Sequence, residues 1–253
     1  MKEILSSIAL SIFMSTMMLG LSLIACNAKA DTPRISLQNN YAATYSIDVM
    51  HTDPNLVGRG TAVVLRCEKG KKVILLTSAH VVDYIKLKDG ESFPPILASR
   101  GKGEGMMVRK LKVNSKLDLA LLESYVASKK NCPHVTLSTT YPKLGDDLWL
   151  IGSVSTNSQR ISKGIISQIK FRKGRWTYDT DADIALGYSG GGVFSKDGKL
   201  IGTVRGLMMY PYMITSNNVP LPHFKAHTPV PGGGMTIGLK TLKYFLDKNY
   251  RGL

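Results

Sequence analysis

Residues 187–192 read Gly-Tyr-Ser-Gly-Gly-Gly, so that Ser189 is flanked by glycines that permit unusual backbone angles. Two apolar runs lie upstream of it. Thr77-Ser78-Ala79-His80 ends the first run, and Asp118-Leu119-Ala120-Leu121 opens the second. Each motif alone is weak. Together they supply a histidine, an aspartate and a serine, in that order, and they predict an imidazole held between a carboxylate and a hydroxyl.

These residue types have complementary chemistry. A serine hydroxyl is a poor nucleophile at neutral pH and needs a base within hydrogen-bond reach, a role that suits His80. Asp118 would fix the tautomer of that imidazole. The backbone N–H groups of Gly187 and Ser189 could converge on a carbonyl oxygen. The structural alternatives are a packed histidine, an aspartate that merely begins a strand, and a serine in a turn.

The rest of the chain is patterned as an all-β protein. Short runs rich in Val, Ile and Leu alternate with turn signals such as Asp197-Gly198, which is typical of antiparallel barrels or a sandwich. One helix is predicted at the end, because Leu239, Leu242, Phe245 and Leu246 fall near helical spacing.

The motifs resemble those of trypsin-like serine peptidases, most closely the catalytic domain of HtrA-like (Deg) proteases. The resemblance covers roughly residues 58–246. It is carried by the histidine motif Leu76–Val82, the aspartate motif Asp118–Leu122 and the serine motif Thr180–Gly191.

The resemblance implies two six-stranded antiparallel β-barrels followed by a C-terminal helix, with the active site between the barrels. The peptidase domain would cover residues 45–253. Barrel one is expected at about 45–128, barrel two at about 133–238, and the helix at about 239–249.

The resemblance also assigns roles. Ser189 would be the nucleophile, His80 the base, Asp118 the orienting acid, and Gly187 and Ser189 the oxyanion donors. The implied function is a serine endopeptidase that cuts proteins or peptides through an acyl-enzyme, with no metal and no cofactor.

Two residues depart from the family pattern. Tyr188 stands where Asn or Asp is usual, and Gly192 where Pro is common. Activation by a new N-terminus that pairs with that Asp is therefore not expected, and a bulky Tyr188 could hold the oxyanion loop inactive. The alternative function is a catalytically inactive binding or scaffold protein. No PDZ module is expected, since the sequence ends at Leu253.

The sequence gives less information about which substrate residue the protein would prefer at the scissile bond. Asp183 lies six residues before Ser189, the spacing of the acid in a trypsin-like specificity pocket, so one hypothesis is cleavage after Arg or Lys through a buried carboxylate. The alternative is a structural aspartate. Arg205 is a second candidate substrate-binding residue. Residues 207–234 are expected to form a specificity loop, a lid or a passive excursion.

Residues 1–30 predict export. Lys2 precedes a mostly apolar stretch, as in a secretory signal peptide. Ala28-Lys29-Ala30 fits a cleavage site, whereas Leu23-Ile24-Ala25-Cys26 resembles a lipobox in which Cys26 becomes lipidated. The expected location is the bacterial periplasm, with membrane attachment through Cys26 if the chain is a lipoprotein, or secretion if it is not. Residues 31–44 are expected to be a linker.

The cysteines and the net charge each allow more than one interpretation. Cys67 and Cys132 could pair in a disulfide or remain buried free thiols. The formal charge is +15, but Lys and Arg are scattered and favour a solubilising surface over a nucleic-acid module. We expect no nucleic-acid partner, and the sequence does not give the oligomeric state.

Overall fold

The computed structural model describes residues 36–50, 58–83, 94–101, 104–155, 158–216 and 219–250. It contains two closed six-stranded antiparallel barrels and a C-terminal helix, which confirms the predicted fold class. Residues 1–30, with Cys26, lie outside the described residues. No helix in the described part of the chain has the length and apolar character to span a membrane.

Barrel one contains the first six strands. They are β1 (Thr44–Val49), β2 (Gly58–Arg66), β3 (Lys72–Thr77), β4 (Ile96–Arg100), β5 (Glu104–Asn114) and β6 (Leu119–Ala127). Their order around the barrel is β1-β2-β3-β6-β5-β4, and pairing of β1 with β4 closes it. A four-residue helix, α1 (Ala79–Val82), follows β3.

Barrel two contains the remaining six strands. They are β7 (Asp147–Ser155), β8 (Ser158–Arg172), β9 (Arg175–Thr180), β10 (Gly192–Ser195), β11 (Leu200–Ser216) and β12 (Val219–Gly238). The order is β10-β11-β12-β9-β8-β7, and β10 pairs with β7 to close the ring.

The segment 207–234 is not a loop. Strands β11 and β12 continue to pair as far as Ser216 and Val219, so the backbone forms a long two-stranded ribbon. From the sequence, a specificity loop, a lid or a passive excursion was expected here, and the segment contains several prolines. The ladder shifts register between Leu207 and Met209 and between Met213 and Thr215. Prolines are tolerated at such irregularities and on strands with a free edge, which explains the difference.

The apolar strand residues form two separate buried clusters. The larger core is centred on barrel one, and it also takes in Phe194 of β10 and Phe245 near the C-terminus. The smaller one lies inside barrel two, around Leu148 and Ile166. Burial of one such side chain contributes about 1.5–3 kcal/mol to the free energy of unfolding.

Helix α2 (Leu239–Asn249) closes the fold as the sequence predicted. Leu239, Leu242, Phe245 and Leu246 are buried along one face, with spacings of three and four residues. The Trp176 N–H donates to Thr241 Oγ1 at 2.6 Å, which joins the helix to β9.

Part of the expected linker is helical. Residues 36–42 form helix, and β1 begins at Thr44. The buried Asn40 side chain donates to the Gly198 carbonyl oxygen at 2.8 Å, in the turn after β10. The polar residues in this segment had indicated a linker, but one of them, Asn40, joins the segment to barrel two.

Cys67 and Cys132 form a disulfide, with their Cα atoms 5.4 Å apart. The bond joins the end of β2 to the connection between the barrels and spans 65 residues of sequence.

The double variant Cys67→Ala/Cys132→Ala should lower the free energy of unfolding by about 2–4 kcal/mol, because the unfolded chain loses a crosslink across a long loop. Urea denaturation of the oxidised protein measures this. A reductant should destabilise the parent protein and leave the double variant unaffected. Identical urea midpoints for oxidised parent and variant would contradict the prediction.

Candidate active site

Asp118 lies at the entrance to β6 in an unusual backbone conformation. It has a φ of 60°, in the left-handed region, which Asp tolerates better than most residues. The preceding turn is held by the Asn114 side chain, whose Oδ1 accepts from the Leu117 N–H at 2.9 Å. This turn directs the buried Asp118 carboxylate towards α1.

The Asp118 carboxylate contacts His80 through both backbone and side chain. Oδ1 accepts from the His80 N–H at 3.0 Å, and His80 Nδ1 lies 2.9 Å from Oδ1 and 3.0 Å from Oδ2. A carboxylate only accepts, so Nδ1 carries the proton and Nε2 is the free basic nitrogen.

Several effects act on the charge of Asp118. Burial opposes ionisation, but the hydrogen bonds and charge of His80, with the charge of Arg205, outweigh it. The pKa of the Asp118 carboxyl therefore lies below its ordinary value. The aspartate is ionised over the whole neutral range.

Helix α1 presents His80 to the solvent side of the seam. Ala79, Val81 and Val82 are buried, whereas the His80 side chain is 47% exposed. The short helix thus anchors three residues in the core and leaves the imidazole accessible.

Arg205, from β11, connects Asp118 with Ser189. Its Nε donates to Asp118 Oδ2 at 3.2 Å, and its carbonyl oxygen accepts from Ser189 Oγ at 3.1 Å. Within the described part of the chain, this carbonyl is the hydrogen-bond partner of the Ser189 hydroxyl. The structure thus brings His80 and Asp118 into direct contact and pairs Ser189 with Arg205 instead of with His80.

The loop that carries Ser189 is pinned to both barrels. The Thr61 N–H donates to the Ser189 carbonyl at 2.8 Å, and the Gly190 N–H donates to the Val204 carbonyl at 2.7 Å. A Cβ at Gly190 would lie 2.2 Å from Thr77 Oγ1, just before α1. The serine loop therefore packs against the strand end that leads to His80.

Thr61 also fixes Gly187. Its hydroxyl donates to the Gly187 carbonyl at 2.7 Å and accepts from the Ser153 N–H at 2.8 Å. Gly187 has a φ of 95°, which a side chain would strain. Neither the Gly187 nor the Ser189 N–H donates to a carbonyl among the described residues.

Tyr188 is buried in the core of barrel two. The sequence had left open that this bulky side chain holds the oxyanion loop in an inactive form. Burial raises the pKa of its phenol above the ordinary value. A Cβ at Gly152 would lie 2.4 Å from Tyr188 Cγ, so the ring packs directly on the Gly152 backbone. Gly192 is similarly close-packed, with a virtual Cβ 2.4 Å from Phe194 Cζ.

Asp183 does not occupy the position that the basic-pocket hypothesis requires. It is exposed, and its backbone carbonyl accepts from Ser162 Oγ at 2.7 Å. It does not line the cavity beside His80. A buried carboxylate was the premise of cleavage after Arg or Lys, and Asp183 does not supply one.

A cavity of about 850 Å³ lies beside His80 and Asp118. Strands β11 and β12 supply Arg205, Gly206, Leu207 and Met235, and the β8–β9 turn supplies Lys173, Gly174 and Arg175. Ser115 and Lys116 complete the lining. Among the described residues, no cluster of three or more His, Cys, Asp or Glu side chains could hold a metal.

Sequence reasoning missed Thr61, Gly152 and Arg175. Thr61 stands in a Gly-rich strand, Gly152 carries no side chain, and Arg175 is one basic residue among many. Only a three-dimensional contact distinguishes each of them from its neighbours. Lys173-Gly174 is a turn signal that could have placed Arg175 at a hairpin tip.

Comparisons with known proteins agree with this geometry. A family model described as a trypsin-like peptidase domain matches residues 60–202. The chain is similar to a Halomonas elongata protein named "Probable periplasmic serine endoprotease DegP-like", with 32% identity over 133 residues. That match covers 51% of this chain and 26% of the relative, so the chain spans about a quarter of the relative's length.

Gly152→Ala should impair the site by displacing the Tyr188 ring and the loop that follows it. We expect a loss of about 1–3 kcal/mol in the free energy of unfolding from overpacking, measured by urea denaturation. The control is Gly105→Ala, where the nearest atom is an ordinary 3.4 Å away. A parent-like urea midpoint for Gly152→Ala would contradict the close packing of Tyr188 on Gly152.

Proposed function

We propose that this chain, which belongs to the trypsin-like peptidase domain family, is a serine endopeptidase that acts through Ser189, His80 and Asp118. The contact of His80 Nδ1 with the ionised Asp118 carboxylate, at 2.9 Å, carries the proposal. It gives the imidazole the tautomer in which Nε2 can accept a proton.

The first half of the reaction forms an acyl-enzyme. Ser189 Oγ attacks the carbonyl carbon of the scissile peptide bond while its proton moves to His80 Nε2. The oxyanion of the tetrahedral intermediate accepts from the N–H groups of Gly187 and Ser189, and one such donor is typically worth about 10²–10³ in rate. The imidazolium then protonates the leaving amine as the C–N bond breaks.

The second half releases the acid product. A water molecule attacks the acyl carbon, and its proton passes to His80 Nε2. Collapse of the intermediate breaks the bond to Ser189 Oγ, which recovers its proton from the imidazolium. Asp118 stays ionised throughout, in keeping with its lowered pKa. Each cycle consumes one peptide bond and one water molecule, regenerates the enzyme and needs no cofactor.

One feature favours the alternative function. Ser189 Oγ donates to the Arg205 carbonyl, and in the proposed reaction this hydrogen bond must be exchanged for one to His80. A rotation about the Ser189 side-chain bond is the smallest change that could do so. A chain in which that exchange never occurs would be a catalytically inactive protein that binds peptides.

Export completes the proposal. The relative is named as periplasmic, and residues 1–30 have the composition of a secretory signal. The Cys67–Cys132 disulfide suits an oxidising compartment. We propose the bacterial periplasm, with either simple cleavage after Ala30 or lipidation of Cys26.

A fluorophosphonate should label the parent protein and fail to label Ser189→Ala, because the reagent needs an activated serine. His80→Ala should lower the labelling rate by several orders of magnitude. The control variant Ser195→Ala, which removes another hydroxyl from the next strand, should react like the parent. Absence of labelling in the folded parent protein would favour the inactive alternative.

Asp118→Asn should keep the fold and lower kcat/KM for a peptide substrate by about 10⁴, because the amide no longer enforces the His80 tautomer. Asp118→Ala should add a loss of about 1–2 kcal/mol in stability, since alanine tolerates positive φ poorly. Thermal unfolding and peptide hydrolysis separate the two effects. Asp197→Asn, in an exposed turn, is the control. Equal activity of Asp118→Asn and the control would overturn the assigned role.

A further inference from the structure

The cavity beside His80 carries a marked excess of positive charge. Lys116, Lys173, Arg175 and Arg205 line it, whereas Asp118 is the single carboxylate among its lining residues, all of which the structure describes. This local imbalance is distinct from the general +15 of the chain, because the four cations converge on one concave surface next to the reacting groups.

A tight hairpin turn brings two of these cations from barrel two over barrel one. Lys173 and Gly174 connect β8 to β9 with φ values of 52° and 76°, the two successive positive φ angles of a two-residue hairpin. Arg175 follows the turn, and its Nη1 donates to the Lys116 carbonyl oxygen at 3.4 Å. The contact orients the Arg175 side chain along the cavity.

Three of the four cations form no ion pair with a carboxylate among the residues that the structure describes. Arg205 pairs with Asp118 at 3.2 Å. In the described part of the chain, no carboxylate lies within ion-pairing distance of Lys116, Lys173 or Arg175. Partial burial and repulsion from Arg205 lower the pKa of the Arg175 guanidinium. A bound anion would relieve this repulsion.

We propose that the cavity receives an acidic side chain of the peptide substrate, and that Arg175 is the residue that selects for it. A guanidinium donates two parallel hydrogen bonds to a carboxylate, so Asp or Glu near the scissile bond is favoured over the neutral amides. Lys or Arg at that position is disfavoured by like charge. This inference rests on the proposed endopeptidase function and names its substrate class.

The preference is opposite to the one first suggested by Asp183. That carboxylate is exposed and lies outside the cavity, so it cannot offset the four cations there. The cavity also has no Phe, Tyr or Trp among its lining residues. Single-stranded nucleic acids are held largely by stacking on such rings, so the lining favours a carboxylate on a peptide over a phosphate on a nucleotide.

Binding to a Ser189→Ala background tests the inference without relying on turnover. Three fluorescent decapeptides that differ only at two central positions (Glu-Glu, Gln-Gln or Lys-Lys) are titrated at low salt and followed by fluorescence anisotropy. A single-stranded oligonucleotide of similar length is the fourth probe. We expect the Glu-Glu peptide to bind at least tenfold more tightly than the Gln-Gln peptide, with the advantage reduced at high salt.

Matched charge-removing variants assign the effect. Arg175→Gln should remove most of the Glu-Glu advantage, whereas Arg172→Gln should retain it. Arg172 flanks the same turn opposite Arg175, is exposed, and does not line the cavity. The two variants therefore lose the same net charge from the same hairpin.

The outcomes separate this inference from the proposed function. Equal binding of the three peptides, preference for Lys-Lys, tighter binding of the oligonucleotide, or equal effects of the two variants would each overturn it. Fluorophosphonate labelling of the parent protein is read independently. Labelling without an acidic preference leaves the endopeptidase standing and rejects the substrate class.

Discussion

The buried carboxylate of Asp118 is the constraint around which the site is built. An ionised side chain removed from water is destabilising by several kcal/mol unless hydrogen bonds and opposite charge surround it. Here the donors come from both barrels: the backbone and ring of His80 from barrel one, and the guanidinium of Arg205 from barrel two. The hydrogen bonds that satisfy this one charge thus set the position of the histidine and add a link between the barrels across the seam.

Arg205 changes the electrostatics of this arrangement. In a site where the aspartate faces the histidine alone, its full charge stabilises the imidazolium. Here the charge is shared with a guanidinium 3.2 Å away, and further cations line the adjoining cavity. An acidic substrate side chain bound among them would return negative charge to the neighbourhood of His80. If so, the same group of charges around His80 would act both in substrate selection and in catalysis.

The sequence predicted the parts of the protein that are encoded locally. Short apolar runs indicated an all-β fold, the family resemblance indicated two barrels, and spacing indicated helix α2. The motifs around His80 and Asp118 indicated two residues that the structure brings into contact. Features that need contacts between distant residues were not predictable. The Arg205–Asp118 pair spans 87 residues, and the packing of Tyr188 on Gly152 depends on an absent side chain. The ribbon formed by β11 and β12 was expected to be a loop, because the sequence of one strand does not show which other segment it pairs with.

The Thr61 hydroxyl has a mechanical consequence. It accepts from Ser153 in barrel two and donates to the Gly187 carbonyl, while its own strand belongs to barrel one. A shift of one barrel against the other would break these two hydrogen bonds while leaving the strand pairing within each barrel unchanged, and the Gly187 carbonyl would then lose the Thr61 donor. The backbone next to Ser189 therefore depends on the joint between the barrels as well as on the barrels themselves.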